Sequence, residues 1–170
     1  MRTIHLFRML VLSLFLGGVA GCGIYSLNGG SVPPGSETIS VELFENNAPL
    51  IVPTLAQDMT EALKDRFVSQ TNLRVVNYEG DLRFSGAITQ YAVAPIAIQG
   101  DETAAQNRLT INAKVKFEVP DHPEMNWENG FSQFSDFPAT TSLSDVETSL
   151  IEDILDKITL DIFNKALSNW

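Results

Sequence analysis

Arg108-Leu109-Thr110-Ile111-Asn112-Ala113-Lys114-Val115-Lys116-Phe117-Glu118-Val119 puts an apolar residue at every odd number and a polar one at every even number. A period of two is the mark of a half-buried β-strand, whose successive side chains leave a pleated backbone on opposite faces. The odd residues therefore face a core, while Arg108, Thr110, Asn112, Lys114, Lys116 and Glu118 face water. A sheet with one wet face needs a second layer over its dry one.

Working outward, the same alternation predicts a strand over Asp81 to Val93, where Gly86 marks either a bulge or a close backbone approach. Pro95 to Asn107 contains Gly100 and Asp101, is too long for a tight turn and reads as a projecting loop. Asp121-His122-Pro123 turns the chain into Asn126 to Phe137, where Trp127, Phe131, Phe134 and Phe137 mix spacings of four and three. That mixture predicts a bulge or burial on both sides. Thr38 to Phe44 alternates with Ile39, Val41 and Leu43 inward, and Leu73 to Asn77 is a short strand.

The covering layer is also visible. Pro53 suits the first turn of a helix, and Leu55, Met59, Ala62, Leu63 and Phe67 follow at helical spacing until about Gln70 to Asn72. Ser144 with Glu147 fits a capping box ahead of a stripe formed by Leu150, Ile151, Ile154, Leu155, Ile158, Ile162 and Ala166. Strand, helix and strand over 38–77 make a right-handed crossover with parallel strands. The order strand, helix, three or four strands, helix predicts a single α+β two-layer sandwich, with two helices packed on one face of a mixed sheet.

The N-terminus has its own character. Residues 1–21 carry Arg2 and Arg8, no acid, an apolar run from Met9 to Phe15 and small residues ending at Gly21, which is the pattern of a secretory signal peptide. Residues 22–36 are rich in turn formers and read as a tether, leaving 37–170 as the folded domain. The leader holds two of the 11 basic residues and none of the 21 acids, so the mature chain carries −12 against −10 for the whole. Such an acidic body is a poor ligand for nucleic acid, whose affinity comes from Lys and Arg displacing counterions. Cys22 is the chain's single cysteine, so no internal disulfide exists and its place directly after the leader needs a reason.

Little chemistry of the catalytic kind is on offer. The mature chain has one histidine, His122, in a turn next to Asp121. Cys and His zinc sites and Cys nucleophiles with a His base are excluded, and neither a Gly-x-Ser-x-Gly elbow nor a phosphate-cradling glycine loop occurs. No metal site and no cofactor are expected. Glu152, Asp153, Asp156 and Asp161 read as the wet face of the last helix. Arg108, Lys114 and Lys116 share one strand face in a chain short of cations. They are either a stripe that contacts anions such as glycolipid phosphates or a solvated strand side.

Val19-Ala20-Gly21-Cys22 resembles the bacterial lipobox, with Val where Leu is usual, in which the cysteine is lipidated and becomes the mature N-terminus. Several acyl chains are needed because one alone holds only marginally. Gly23, rather than Asp, follows Cys22, which favours sorting to the outer membrane. Gly-Cys-Gly-Ile-Tyr-Ser at 21–26, Pro33-Pro34, Thr38-Ile39-Ser40-Val41, Phe44-Glu45-Asn46, Pro53-Thr54-Leu55, Thr60-Glu61-Ala62-Leu63-Lys64, Gly80-Asp81-Leu82, Asn107-Arg108-Leu109-Thr110-Ile111 and Ile162-Phe163-Asn164-Lys165-Ala166 together resemble the LptE family. The resemblance implies a non-catalytic lipoprotein of lipopolysaccharide assembly, on the periplasmic side of the outer membrane. It would be lipid-anchored through Cys22 and seated as a plug in an LptD-like barrel, with lipopolysaccharide as a further candidate ligand. Another periplasmic lipoprotein scaffold, of an envelope or secretion complex, is the alternative reading, and a lipid-anchored enzyme using paired carboxylates is a third.

Overall fold

The alternating stretch is buried as its pattern requires, with Leu109, Ile111, Ala113, Val115, Phe117 and Val119 all inside. It forms β5 (Gln106–Glu118), the fifth strand of a computed structural model that describes residues 32–96 and 105–167. Around it lie β1 (Thr38–Val41), β2 (Glu45–Asn46), α1 (Leu55–Gln70), β3 (Arg74–Val75), β4 (Leu82–Ile96), a 3-10 turn at Pro123–Met125, β6 (Trp127–Pro138) and α2 (Leu143–Leu167). The sheet order is β3-β1-β4-β5-β6, with β2 also against β4. β1 pairs parallel with β3 and β4, whereas β4, β5 and β6 are antiparallel, so the sheet is mixed. The expected α+β sandwich is the fold: the buried sides of α1 and α2 close one sheet face, and the even residues of β5 stay wet on the other.

The two layers meet in a row of rings. Phe67 of α1 lies 5.0 Å from Phe84 of β4 and 5.1 Å from Phe163 of α2, centroid to centroid. Phe84 continues to Phe117 at 4.7 Å, and Phe117 to Trp127 at 5.4 Å. Leu55, Met59 and Leu63 from α1, and Ile154, Ile158 and Ile162 from α2, are fully buried beside them.

Several expectations fail for local reasons. Leu43 is 68% exposed and Phe44 is buried, the reverse of simple alternation. Val41 pairs with Phe84 and Glu45 with Ala87, so four steps on one strand match three on the other. The extra residue flips the faces. Ser40, expected to face water, is buried because Gly80 crosses beside it and donates its N–H to Ser40 Oγ at 3.2 Å.

Gly86 marks the close approach and not the bulge: a Cβ there would sit 2.4 Å from the Lys114 carbonyl oxygen and 2.8 Å from the Phe44 ring. The bulge falls at Thr89, where the register slips between Ile88 and Gln90. Buried positions accordingly change from even (Leu82, Phe84, Ile88) to odd (Tyr91). β6 has no bulge, since its pairing with β5 is continuous from Trp127 to Pro138. Trp127, Phe131 and Phe137 are odd and face the core, while Phe134 is even and 42% exposed on the outer face, so two-sided placement explains the mixed spacing.

The Pro95 to Asn107 loop is shorter than expected, because Pro95, Ile96, Gln106 and Asn107 are paired; residues 97–104 lie outside the described ones. Pro53 precedes the Thr54 cap instead of entering the first turn of α1. α2 begins at Leu143, which puts Ser144 inside the helix. Glu147 reaches elsewhere, accepting the Tyr91 hydroxyl at 2.5 Å, so the capping box is not formed. Burial, then this carboxylate, pushes the Tyr91 hydroxyl pKa up.

The body has two distinct ends. Thr38, Arg74, Leu82, Glu118 and Trp127 share the end where residues 32–36 enter, and Ile96, Gln106 and Pro138 share the other. At the entering end Val32 already packs on the core, and Pro33 to Ser36 forms a turn closed by Ser36 N–H to Pro33 C=O at 3.1 Å, with Gly35 at φ 86°. A positive φ at the third position is what a type II turn demands of glycine.

Candidate functional site

β5 holds Arg108, Lys114 and Lys116 on the outer face, and β6 sets acids beside them. Asp136 is the direct cross-strand partner of Arg108, and Glu128 that of Lys116. The Arg108 guanidinium donates twice to Asp136, Nε to Oδ1 at 2.7 Å and a terminal nitrogen to Oδ2 at 2.9 Å, in a planar fork that suits a carboxylate. It also stacks 3.5 Å above the Phe134 ring, which accounts for a half-exposed aromatic on the wet side. Lys114 reaches diagonally to Glu128, and Lys116 binds Glu118 at 2.9 Å.

The proton affinities follow these pairs. Asp136 holds Arg108 above the ordinary guanidinium value, and Glu118 does the same for the Lys116 ammonium. In return Arg108 draws the Asp136 carboxyl down, and Lys114 draws Glu128 down. The stripe anticipated from sequence is real in its placement, but each of its three cations already has a carboxylate. An external phosphate would have to exchange with Asp136, Glu128 or Glu118.

The helical layer differs. α2 carries six acids against two bases, and α1 three against two. A groove of about 720 Å³ runs between the helices, walled by Asp58, Glu61, Asp65, Glu147, Glu152 and Asp156. Its one guanidinium, Arg66, binds the Asp156 carboxylate and backbone carbonyl. Of the acids singled out from sequence, Asp153 pairs with Lys157 and Asp161 accepts from Gln133 at 2.6 Å, while Glu152 is exposed. His122 lies in the turn at the entering end, 3.2 Å from Glu124. Among the described residues no group of three or more His, Cys, Asp and Glu side chains could hold a metal ion.

One polar cluster was not visible in the sequence. Asp81 Oδ2 accepts the backbone N–H groups of Glu37 and Thr38 at 2.9 Å each and the Thr38 hydroxyl at 2.7 Å. The Glu37 N–H first, then the Thr38 hydroxyl, hold its carboxyl below the ordinary value. Gly80 must precede it, because a Cβ there would lie 2.5 Å from Ser40 N. The Gly80-Asp81 pair thus clamps the start of β1 to the start of β4, where residues 32–36 lead in. The signal lay in the dipeptide, but its partners are some forty residues upstream.

Cys22 lies outside the described residues, and among those no helix is long and apolar enough to cross a membrane. No curated protein sequence matches the chain. The fold is similar to that of a minor lipoprotein from Acinetobacter baumannii, with 13% identity, coverage of 79% of this chain and 94% of that one, and a TM-score of 0.51. It is also similar to rare lipoprotein B from Shewanella oneidensis, with 11% identity, coverage of 74% and 90%, and a TM-score of 0.51. The sequence matches the LptE lipopolysaccharide-assembly family over residues 36–166, a span that holds, among the described residues, every strand and both helices but for Leu167. The chain belongs to the LptE lipopolysaccharide-assembly family.

Proposed function

We propose that this chain is a lipid-anchored outer-membrane plug that supports an LptD-like barrel in moving lipopolysaccharide to the cell surface, without catalysing a covalent step. The observation that carries the reading is the family match over the whole folded domain. Barrel lumens of this class are polar, so a plug can keep a charged surface and needs no large greasy patch. The sheet face, neutralised pair by pair, suits close packing against such a wall, whereas the acidic helical layer asks for Arg and Lys opposite it. A permanent complex of this kind buries more than about 2,000 Å². No cofactor is required beyond the covalent lipid on Cys22. Arg108, Lys114 and Lys116 meet lipopolysaccharide phosphates only by exchanging their present carboxylates.

The test is affinity purification of the tagged chain from detergent-extracted membranes, with depletion in parallel. A co-purifying barrel and loss of surface lipopolysaccharide are expected. Recovery of the chain alone with normal surface lipopolysaccharide would sink the reading in favour of a different envelope scaffold. Cys22→Ala is expected to release a folded domain from the membrane, and mass spectrometry finding a bare thiol on the mature wild-type chain would refute the anchor.

A further inference from the structure

The start of β1 is where the folded body meets the segment that leads back to Cys22. Residues 23–36 are the one covalent route between the two, so a pull from an anchor on Cys22 enters the sheet at Glu37 and Thr38. Ahead of that point the grip is slight: Val32 packs on the core, and the Pro33 to Ser36 turn is closed by a hydrogen bond within itself. β1 is four residues long, and its parallel pairing with β4 begins only at Ile39 with Leu82. On the β4 side the ladder thus starts one residue late.

Asp81 fills the missing place with its side chain. Carried back one step, the register sets it opposite Thr38. Its Oδ2 accepts the N–H groups of Glu37 and Thr38 at 2.9 Å each and the Thr38 hydroxyl at 2.7 Å, and its own N–H returns to Thr38 Oγ1 at 3.0 Å. Consecutive N–H groups of a regular strand point opposite ways. One oxygen that grips both therefore holds the chain where it bends into β1. Hydrogen bonds to an ionised carboxylate are also roughly twice as strong as neutral ones.

The grip is backed from both sides of β1. Gly80, just before Asp81, donates to Ser40 Oγ at 3.2 Å and accepts from Arg83 Nε at 2.9 Å, which ties the clamp to β1 and β4 alike. Across β1, the N–H groups of Arg74 and Val76 bond to the Glu37 and Ile39 carbonyls at 2.9 Å each. β1 itself lies between β3 and β4, with Ile39 and Val41 in the core. A pull that enters along β1 is thus shared by two neighbouring strands, provided its first residues do not come away beforehand.

We propose that Asp81 is the joint that passes a pull from the Cys22 anchor into the sheet, holding Glu37 and Thr38 so that β1 is loaded along its whole length and does not fray from its first residue. The inference rests on the anchor reading above for the source of the pull. Its signature is direction, because Asp81 matters most when force enters through Ser36.

The test stretches the whole chain, extracted from membranes in detergent, between two thiol handles in optical tweezers. Lipidation consumes the Cys22 sulfur and the chain has no other cysteine, so the handles are unique. Ser31→Cys with Thr140→Cys draws along β1 from its N-terminal side, and Asp121→Cys with Thr140→Cys draws along β6 as the control. Asp81→Asn keeps the shape of the side chain and removes its charge. It should shorten the lifetime under constant force about tenfold in the first pull and less than about twofold in the second. Thr38→Val, which takes away only the hydroxyl, should act in the same direction and less. An unchanged lifetime in the first pull, or an equal loss in both, overturns the joint and leaves the anchor reading standing. Should Asp81→Asn not fold, Thr38→Val decides by the same two pulls. A bare thiol at Cys22 of the mature wild-type chain, found by mass spectrometry, overturns the anchor and the joint with it.

Discussion

The outer sheet face and the helical layer both carry charged residues and use them in opposite ways. On the sheet, Arg108, Lys114 and Lys116 are matched one to one with Asp136, Glu128 and Glu118. On the helices, acids outnumber bases, and Asp58, Glu61, Asp65, Glu147, Glu152 and Asp156 converge on a groove in which Arg66 binds Asp156 and Glu61 pairs with Lys64. The chain's strong acidity is therefore a property of one layer and its loops, and the sheet is close to neutral. Net charge alone would have placed repulsion everywhere.

The contrast can be broken outright at the residue that joins the layers. Phe67 touches Phe84 on one side and Phe163 on the other, so Phe67→Ala should cost about 3 to 5 kcal/mol in urea unfolding. A cost below 1 kcal/mol would mean that the layers do not depend on that ring. A lesser blow falls on the sheet alone. Gly86→Ala forces a Cβ against the Lys114 carbonyl oxygen and the Phe44 ring, and should destabilise by roughly 1 to 3 kcal/mol while α1 and α2 keep their helical circular dichroism.

The smallest effects sharpen the comparison by their sign. Asp136→Asn removes the partner of Arg108 and should lower the melting temperature slightly, whereas Glu152→Gln, on the acid-crowded helix, should leave it level or raise it. The pH dependence follows from the direction of the shift. Arg108 depresses the Asp136 carboxyl in the folded state, so the pair stabilises the fold above the ordinary aspartate pKa of about 4 and loses that contribution as pH falls through the lower folded value. Melting curves of Asp136→Asn should accordingly depend less on pH below about 4 than those of wild type; an unchanged acid limb would show the pair to be ornamental.

What the sequence disclosed followed from one-dimensional periods. β5 and the stripes of α1 and α2 repeat without interruption, and each lies where its period puts it. The failures come from single inserted residues, which a period cannot register: the extra position between Val41 and Glu45 turns Leu43 outward, and Thr89 reverses the faces of β4 halfway along. The stripe of Arg108, Lys114 and Lys116 was legible as placement, and Lys116 meets Glu118 on its own strand, but the neutralisation of Arg108 by Asp136 and of Lys114 by Glu128 depended on the register of β6. Asp81 was out of reach for the same reason, because its partners Glu37 and Thr38 are brought to it by the parallel pairing of β1 with β4.

β4 has one more consequence, as a ruler. It runs fifteen residues from Leu82 to Ile96, roughly 45 to 50 Å at strand rise, against about 40 to 45 Å for a bilayer with its headgroups. Because β4 is hydrogen-bonded to β5 nearly throughout, this length is a rigid gauge and not a flexible reach. Under the proposed lipid anchor at Cys22, Ile96 would be held about one membrane thickness from Leu82. The charged faces between the two ends could stand upright in a bilayer only inside an aqueous passage.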